Sequence, residues 1–173
     1  VGVMKAFGLF WPLGLYWLFQ RQVPVGDNVK IKLSNSQWRE KLTSDQYNVM
    51  IRRGTERAFT SPLNNEKRKG LYRCAGCDVP LFPSDTKFNS GTGWPSFWAP
   101  EKESIEHTIH PVYLLGDFGA REVRCKACGG HLGHMFTDGP KPTGKRYCIN
   151  GVSLYFDPQD TTSGSTDAKP PNY

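Results

Sequence analysis

A chain of 173 residues with net charge +6, 38% hydrophobic and 13% aromatic residues has room for one domain with tails. Its wealth of rings suits short strands better than leucine-rich helices. The positive charge is dispersed, with Arg52-Arg53 and Lys67-Arg68-Lys69 as its densest clusters, so no basic stripe supports a nucleic-acid partner and none is expected. Five cysteines, an odd number, do not make a secreted disulfide framework; they point to metal or thiol chemistry in a reducing compartment.

The first feature in chain order is the apolar run from Ala6 to Phe19, flanked by Lys5 and Arg21. It falls short of the roughly 20 residues a spanning helix needs, and Pro12 with Gly8 and Gly14 weakens a helix further. The length matches the apolar region of a targeting signal, although no convincing small-residue cleavage site follows. Two readings stay open: a targeting or anchoring segment that contacts a membrane through residues 6–19, or the remnant of a longer region. Residues 1–35, including the connector around Pro24 and Gly26, are set apart from the fold.

The domain is expected over residues 36–158. Thr43-Ser44-Asp45-Gln46 has a hydroxyl followed three residues later by Gln, the signature of a capping box. Tyr47, Met50 and Ile51 follow at helical spacing and Gly54 offers a stop, which predicts a short helix. From Tyr72 onward glycine and proline punctuate short strands, read at Val112–Leu115, Arg121–Arg124 and Val152–Phe156. Residues 159–173 are polar and small, and are expected to be a disordered tail.

Cys74-Ala75-Gly76-Cys77 and Cys125-Lys126-Ala127-Cys128 supply four sulfurs, the number a closed, tetrahedral structural zinc site uses; the alternative is two redox pairs. Cys148 remains, either as a small buried hydrophobe or as a nucleophile whose thiolate Arg146 stabilises. On a strand, Arg146, Cys148 and Asn150 share one face. His131 and His134 make sense as proton-exchanging groups near a thiolate, against a second metal site or satisfied core histidines; His107 and His110 have no evident partner. The rings of Gly91-Thr92-Gly93-Trp94-Pro95-Ser96-Phe97-Trp98 either fill core or form an apolar wall for a small substrate group, made of Trp94 with Phe97 behind it.

Taken together, Cys-Ala-Gly-Cys, Ser90–Phe97, the run from Cys125 to Phe136 and Arg146-Tyr147-Cys148-Ile149-Asn150-Gly151 resemble the B-type methionine sulfoxide reductases, which act on the R epimer. The resemblance runs in order from about Trp38 to Phe156. It implies a mainly β fold, a small antiparallel β-sheet domain with short N-terminal helices and one structural zinc ion on Cys74, Cys77, Cys125 and Cys128. It also implies Cys148 as nucleophile, Trp94 receiving the methyl group, and His131 and His134 holding a water or protonating the oxygen. Asp138, Arg146 and Asn150 would shape the site. Many relatives carry a second, resolving cysteine; here Thr92 stands in the turn before Gly93-Trp94 and no spare thiol exists. The resemblance is thus to single-cysteine forms such as those of plastids, in which an external reductant of the thioredoxin or glutaredoxin/glutathione type recycles the enzyme. Oxidised proteins or the free amino acid would be substrates, and a monomer is expected, in a plastid, another organelle or the cytoplasm. The rival readings are a non-enzymatic zinc-ribbon module, which leaves Cys148, the histidines and Trp94 idle, and a thiol peroxidase, which has no need of the Trp94 wall.

Overall fold

The computed structural model describes residues 31–108 and 120–159. The apolar run, His110, the strand read at Val112–Leu115 and the tail beyond Gln159 lie outside the described residues. The described part opens with two short helices, α1 (Asn35–Lys41) and α2 (Ser44–Met50). Each begins with a complete capping box. The Thr43 hydroxyl accepts from the Gln46 amide at 3.2 Å while the Gln46 side chain accepts from the Thr43 amide at 3.0 Å, and Ser34 and Gln37 do the same for α1. Reciprocal caps satisfy two otherwise orphaned donors per helix, which is what lets seven-residue helices persist. Setting residues 1–35 apart from the fold cuts off the Ser34 cap and the first residue of α1, although Ser34-Asn35-Ser36-Gln37 carries the same signature. Ile31 and Leu33 already pack against the core, and the Ile31 amide donates to the Ala127 carbonyl at 3.0 Å.

Nine strands follow among the described residues: β1 (Gly70–Cys74), β2 (Pro80–Pro83), β3 (Lys87–Phe88), β4 (Ser96–Phe97), β5 (Ile105–Thr108), β6 (Arg121–Cys125), β7 (His131–Phe136), β8 (Arg146–Ile149) and β9 (Leu154–Pro158). They form an antiparallel three-stranded sheet in the order β2-β1-β9 and an antiparallel six-stranded sheet in the order β3-β4-β8-β7-β6-β5. The strand read at Val152–Phe156 begins only at Leu154, because Gly151–Ser153 form a 3-10 turn. That turn is held by the Glu56 carboxylate, which accepts from the Gly151 and Val152 amides at 2.6 and 2.9 Å.

Rings fill the space between the sheets. Phe97 stacks on Phe82 at 4.4 Å between centroids and meets the edge of Tyr72 at 4.9 Å; Tyr147 adds a fourth ring against Phe82. Strand β8 alternates accordingly: Tyr147 and Ile149 are buried, while Arg146 and Cys148 are only partly covered. The register carries this face across the sheet. Ser96 pairs with Cys148, Cys148 with His134, and His134 with Glu122, so four polar side chains form one row, because directly opposed residues project to the same side.

Candidate active site

The two Cys-x-x-Cys segments fold into matching turns. The Asp78 amide donates to the Cys74 carbonyl and the Gly129 amide to the Cys125 carbonyl, each at 2.8 Å. The residue after each second cysteine is left-handed, Asp78 at φ 65° and Gly129 at φ 71°. The four sulfurs converge: Cys74 to Cys128 is 3.7 Å, Cys77 to Cys125 is 3.5 Å, and all lie within 4.8 Å of one another. Hydrogen bonding with Cys125 pushes the Cys74 and Cys128 thiols up, and hydrogen bonding within the cluster draws Cys77 and Cys125 down. A cation removes this conflict, because it takes all four as thiolates. A tetrahedron of sulfurs about 2.3 Å from one ion has edges of about 3.8 Å, so the donor set and its spacing fit a metal ion. Cys74 ends β1 and Cys125 ends β6, and the cluster therefore ties one sheet to the other.

Cys148 lies elsewhere, at the centre of the polar row. Burial pushes its thiol up; the Thr92 hydroxyl, with Oγ1 3.8 Å from Sγ, and then Arg146 draw it down, and Asp138 raises it. The net direction is upward, because burial outweighs the stabilisation that Thr92 and Arg146 give the thiolate. Arg146 is also paired with Asp138. Its guanidinium donates twice to Asp138, at 2.9 Å each, and lies 4.3 Å from the centre of the Phe136 ring.

His134 stands opposite Cys148, and the His131 ring meets it edge-on at 5.4 Å. His131 is buried with Nδ1 2.8 Å from Glu122 Oε1, while its buried Nε2 has no hydrogen-bond partner. Burial is the largest influence on Glu122 and would raise it, but His131, Arg53 and Arg124 outweigh that and hold it below the usual carboxylate range. An ionised Glu122 can only accept, so His131 donates its Nδ1–H to it and Nε2 lies on the far side of the ring. His107 instead lies beside the Tyr147 ring.

The loop Asn89–Pro95 covers the other side. Trp94 is half-buried and its indole donates to the Glu56 carbonyl at 3.2 Å. Phe97, expected behind Trp94 in a substrate wall, is on the core face instead, because Ser96 takes the position opposite Cys148 and strand alternation turns Phe97 inward. Asn150 is close to Cys148 in sequence, yet its side chain is engaged at both ends: Oδ1 accepts from the Glu56 amide at 2.9 Å and Nδ2 donates to the Leu132 carbonyl at 2.9 Å. It braces the strand end, and does not share the exposed face of Arg146 and Cys148.

Sequence reasoning does not find Glu56, Phe59, Ser90, Ser96 or Glu122. Glu56 bonds Trp94, Asn150 and the turn after β8 at once. Phe59 is the large hydrophobic side chain left exposed among the described residues, at 75%. Its left-handed backbone, φ 66°, is held by a 2.7 Å hydrogen bond to the Gly93 carbonyl. A Cβ on Gly93 would lie 2.9 Å from the Phe59 ring, so glycine there lets an exposed ring sit beside Trp94. Only Ser90 and Ser96 lay within a recognised motif; the other three become legible only through pairing across the fold.

The family model for the SelR domain matches residues 42–158. The chain is 53% identical to the peptide methionine sulfoxide reductase MsrB of Agrobacterium fabrum over 131 residues, covering 75% of this chain and 94% of that protein. It is 45% identical to the protein of the same name from Hahella chejuensis over 80% of this chain and 98% of that one. It is 48% identical to the chloroplastic peptide methionine sulfoxide reductase B1 of rice over 73% of this chain and 58% of that longer protein. A match over most of the chain, falling on a two-sheet fold whose cysteine cluster and thiol row lie where those motifs fold, decides the family: the chain belongs to the SelR-domain family, the B-type methionine sulfoxide reductases.

Proposed function

We propose that the protein reduces methionine-R-sulfoxide, in polypeptides or as the free amino acid, with Cys148 as nucleophile and an external thiol as reductant. The observation that supports this most is the register that sets Cys148 opposite His134, between Ser96 and the histidine pair. The sulfoxide methyl group rests on Trp94, and the sulfoxide oxygen points to His134 and to His131, the latter with a buried orphan Nε2 that suits a bound water. Cys148 Sγ attacks the sulfoxide sulfur as the oxygen takes a proton. The hydroxyl then moves from the substrate sulfur to Sγ as the Sγ–S and S–O bonds to that sulfur break, methionine leaves, and Cys148 is a sulfenic acid. Two external thiols then return Cys148 to the thiol, forming their own disulfide and releasing water.

Arg146, fixed by Asp138, and Asn150, fixed by Glu56 and Leu132, hold the strand carrying Cys148. Phe97 supports the site from the core side. The exposed Phe59 ring lies where a residue flanking the sulfoxide in a peptide would pass. Zinc is the ion proposed for Cys74, Cys77, Cys125 and Cys128; a site closed by four sulfurs leaves no open position for chemistry. The thiol cycle needs a reducing compartment, and the chloroplastic relatives of rice and Arabidopsis thaliana favour a plastid. The protein acts as a monomer.

The test is turnover of the separated sulfoxide epimers by purified protein with dithiothreitol. The R epimer is reduced, the S epimer is not, and Cys148→Ser abolishes the reaction without changing the fold or the metal content. Equal rates on both epimers, or activity surviving in Cys148→Ser, would remove the assignment.

A further inference from the structure

Beside Cys148 three hydroxyls stand in line. Thr92 Oγ1 is 3.8 Å from Cys148 Sγ, Ser90 Oγ is 2.8 Å from Thr92 Oγ1, and Ser96 Oγ is 2.7 Å from Ser90 Oγ and 3.2 Å from the Trp94 carbonyl oxygen. Each hydroxyl has a single proton to donate, so the direction of the whole line follows from its ends. The Trp94 carbonyl can only accept. With Ser96 donating to it, Ser90 must donate to Ser96 and Thr92 to Ser90, which leaves the Thr92 oxygen as acceptor for the Cys148 S–H. A thiolate cannot donate. Once Cys148 ionises, Thr92 turns its proton to sulfur, Ser90 donates to Thr92, Ser96 donates to Ser90, and the Trp94 carbonyl gives up its bond. The Thr92 amide, 3.4 Å from Ser90 Oγ, is satisfied in either direction. Two proton arrangements fit the same heavy atoms, one for each ionisation state.

We propose that Ser90, Thr92 and Ser96 form a reversible hydrogen-bond relay that sets the ionisation of Cys148, with Ser90 and Ser96 as positioning residues that act on the sulfur only through Thr92. The relay deepens the reading of Cys148 as the nucleophile and rests on it. Its far end is the carbonyl of Trp94, the residue that walls the site, so proton direction at the sulfur and the backbone of the wall are one hydrogen-bonded unit. Ser96 is fully buried, which keeps water from substituting at the inner end. The charged and titratable groups facing Cys148 from the neighbouring elements are His134 on β7, Arg146 on β8 and Asp138 in the loop between them, whereas β4 and the Asn89–Pro95 loop offer hydroxyls alone. Since Arg146 is shared with Asp138, the relay is the unshared donor to the thiolate.

The experiment follows Cys148 by iodoacetamide alkylation as a function of pH, with mass spectrometry resolving this cysteine from the other four. It requires no sulfoxide, so it stands or falls separately from the reductase assay. Thr92→Val is expected to move the midpoint up by about one pH unit, the loss of one charge-assisted bond. Ser90→Ala moves it by about half a unit, since it removes only the polarisation and alignment of Thr92. Thr92→Ser and Ser90→Thr, which keep the hydroxyls, return the original profile, and Ser90→Ala adds nothing in the Thr92→Val background. Should Ser90→Ala fail to fold, Ser96→Ala replaces it with the same expected half-unit shift. A midpoint unmoved by Ser90→Ala, or a second full shift on top of Thr92→Val, overturns the relay.

Discussion

Replacing Cys125 by serine should unfold the domain, and the magnitude follows from where the sulfur sits. Cys125 closes β6 of the larger sheet, and its sulfur is 3.5 Å from Cys77, in the turn that follows β1 of the smaller sheet. An ion held there staples the two sheets. It also supports α2, because Met50 is fully buried with its Cε 3.0 Å from a Cβ built on Gly76 and 2.8 Å from one built on Gly130. The helix thus rests on both cysteine turns, and glycine is what makes room for it. Structural zinc contributes about 10–16 kcal/mol of apparent binding free energy at such sites, whereas an ordinary domain has about 5–15 kcal/mol of net stability. Losing most of the first term is comparable with the whole of the second. One zinc per chain by elemental analysis, a cooperative melt that collapses on chelation, and insoluble or molten Cys125→Ser protein are expected. Soluble, active, metal-free protein that melts with the same cooperativity would refute the reasoning.

The histidines should separate chemistry from folding. Changing His131 or His134 to Asn is expected to slow single-turnover reduction roughly 100- to 10,000-fold, and no loss in either would move the proton donor elsewhere. Phe59→Ala should lower kcat/KM for a peptide sulfoxide with apolar neighbours several-fold, about the value of one ring contact, while leaving free methionine-R-sulfoxide unchanged; equal effects on both would deny the ring a flanking contact. In the absence of reductant, wild-type Cys148 should persist as a sulfenic acid after one turnover, trapped by a sulfenic-acid reagent. Thr92→Cys should instead give a disulfide to Cys148, since the native Oγ1 is 3.8 Å from Sγ. A stable sulfenic acid in that variant would show that the turn is too rigid to bring the Cα atoms within about 4.4–6.8 Å.

What the sequence exposed was whatever is local or covalently spaced. The capping box at Thr43, the Cys-x-x-Cys pairs and the alternation Arg146-Tyr147-Cys148-Ile149 are contained within a few residues, and each appears in the fold as read. An equivalent signature at Ser34 opens α1, one of the short N-terminal helices that the resemblance implies. Contacts between distant segments were out of reach. Glu122 meets His131 because β6 pairs with β7 through a register shift between Val123 and Arg124, and nothing in Arg-Glu-Val-Arg-Cys announces a carboxylate aimed at the next strand. Glu56 meets Gly151 and Val152 across 95 and 96 residues. Phe97 was misplaced for a related reason: a ring two residues from Pro95 is core or wall depending on which face of β4 it takes, and that is decided by Ser96 pairing with Cys148.

The register of β7 against β8 therefore carries more of the chemistry than any single motif. A slip of one residue would turn Cys148 into the core and Tyr147 out to His134, since side chains alternate with a period of two. Gly133 makes the native pairing fit. It stands opposite Ile149, and a Cβ there would lie 2.1 Å from the Cys148 carbonyl oxygen and 3.0 Å from the Ile149 Cα. A side chain at this position would prise β8 away at Cys148 itself. In His131-Leu132-Gly133-His134 the glycine between the histidines thus brings the two strands close enough for His134 to face Cys148. The histidines hold their places through Glu122 and the paired strands, and the thiol holds its own through Thr92 and the hydroxyls behind it. The proposed catalytic geometry is thus a property of one row across one sheet, set by the pairing of β4, β8, β7 and β6.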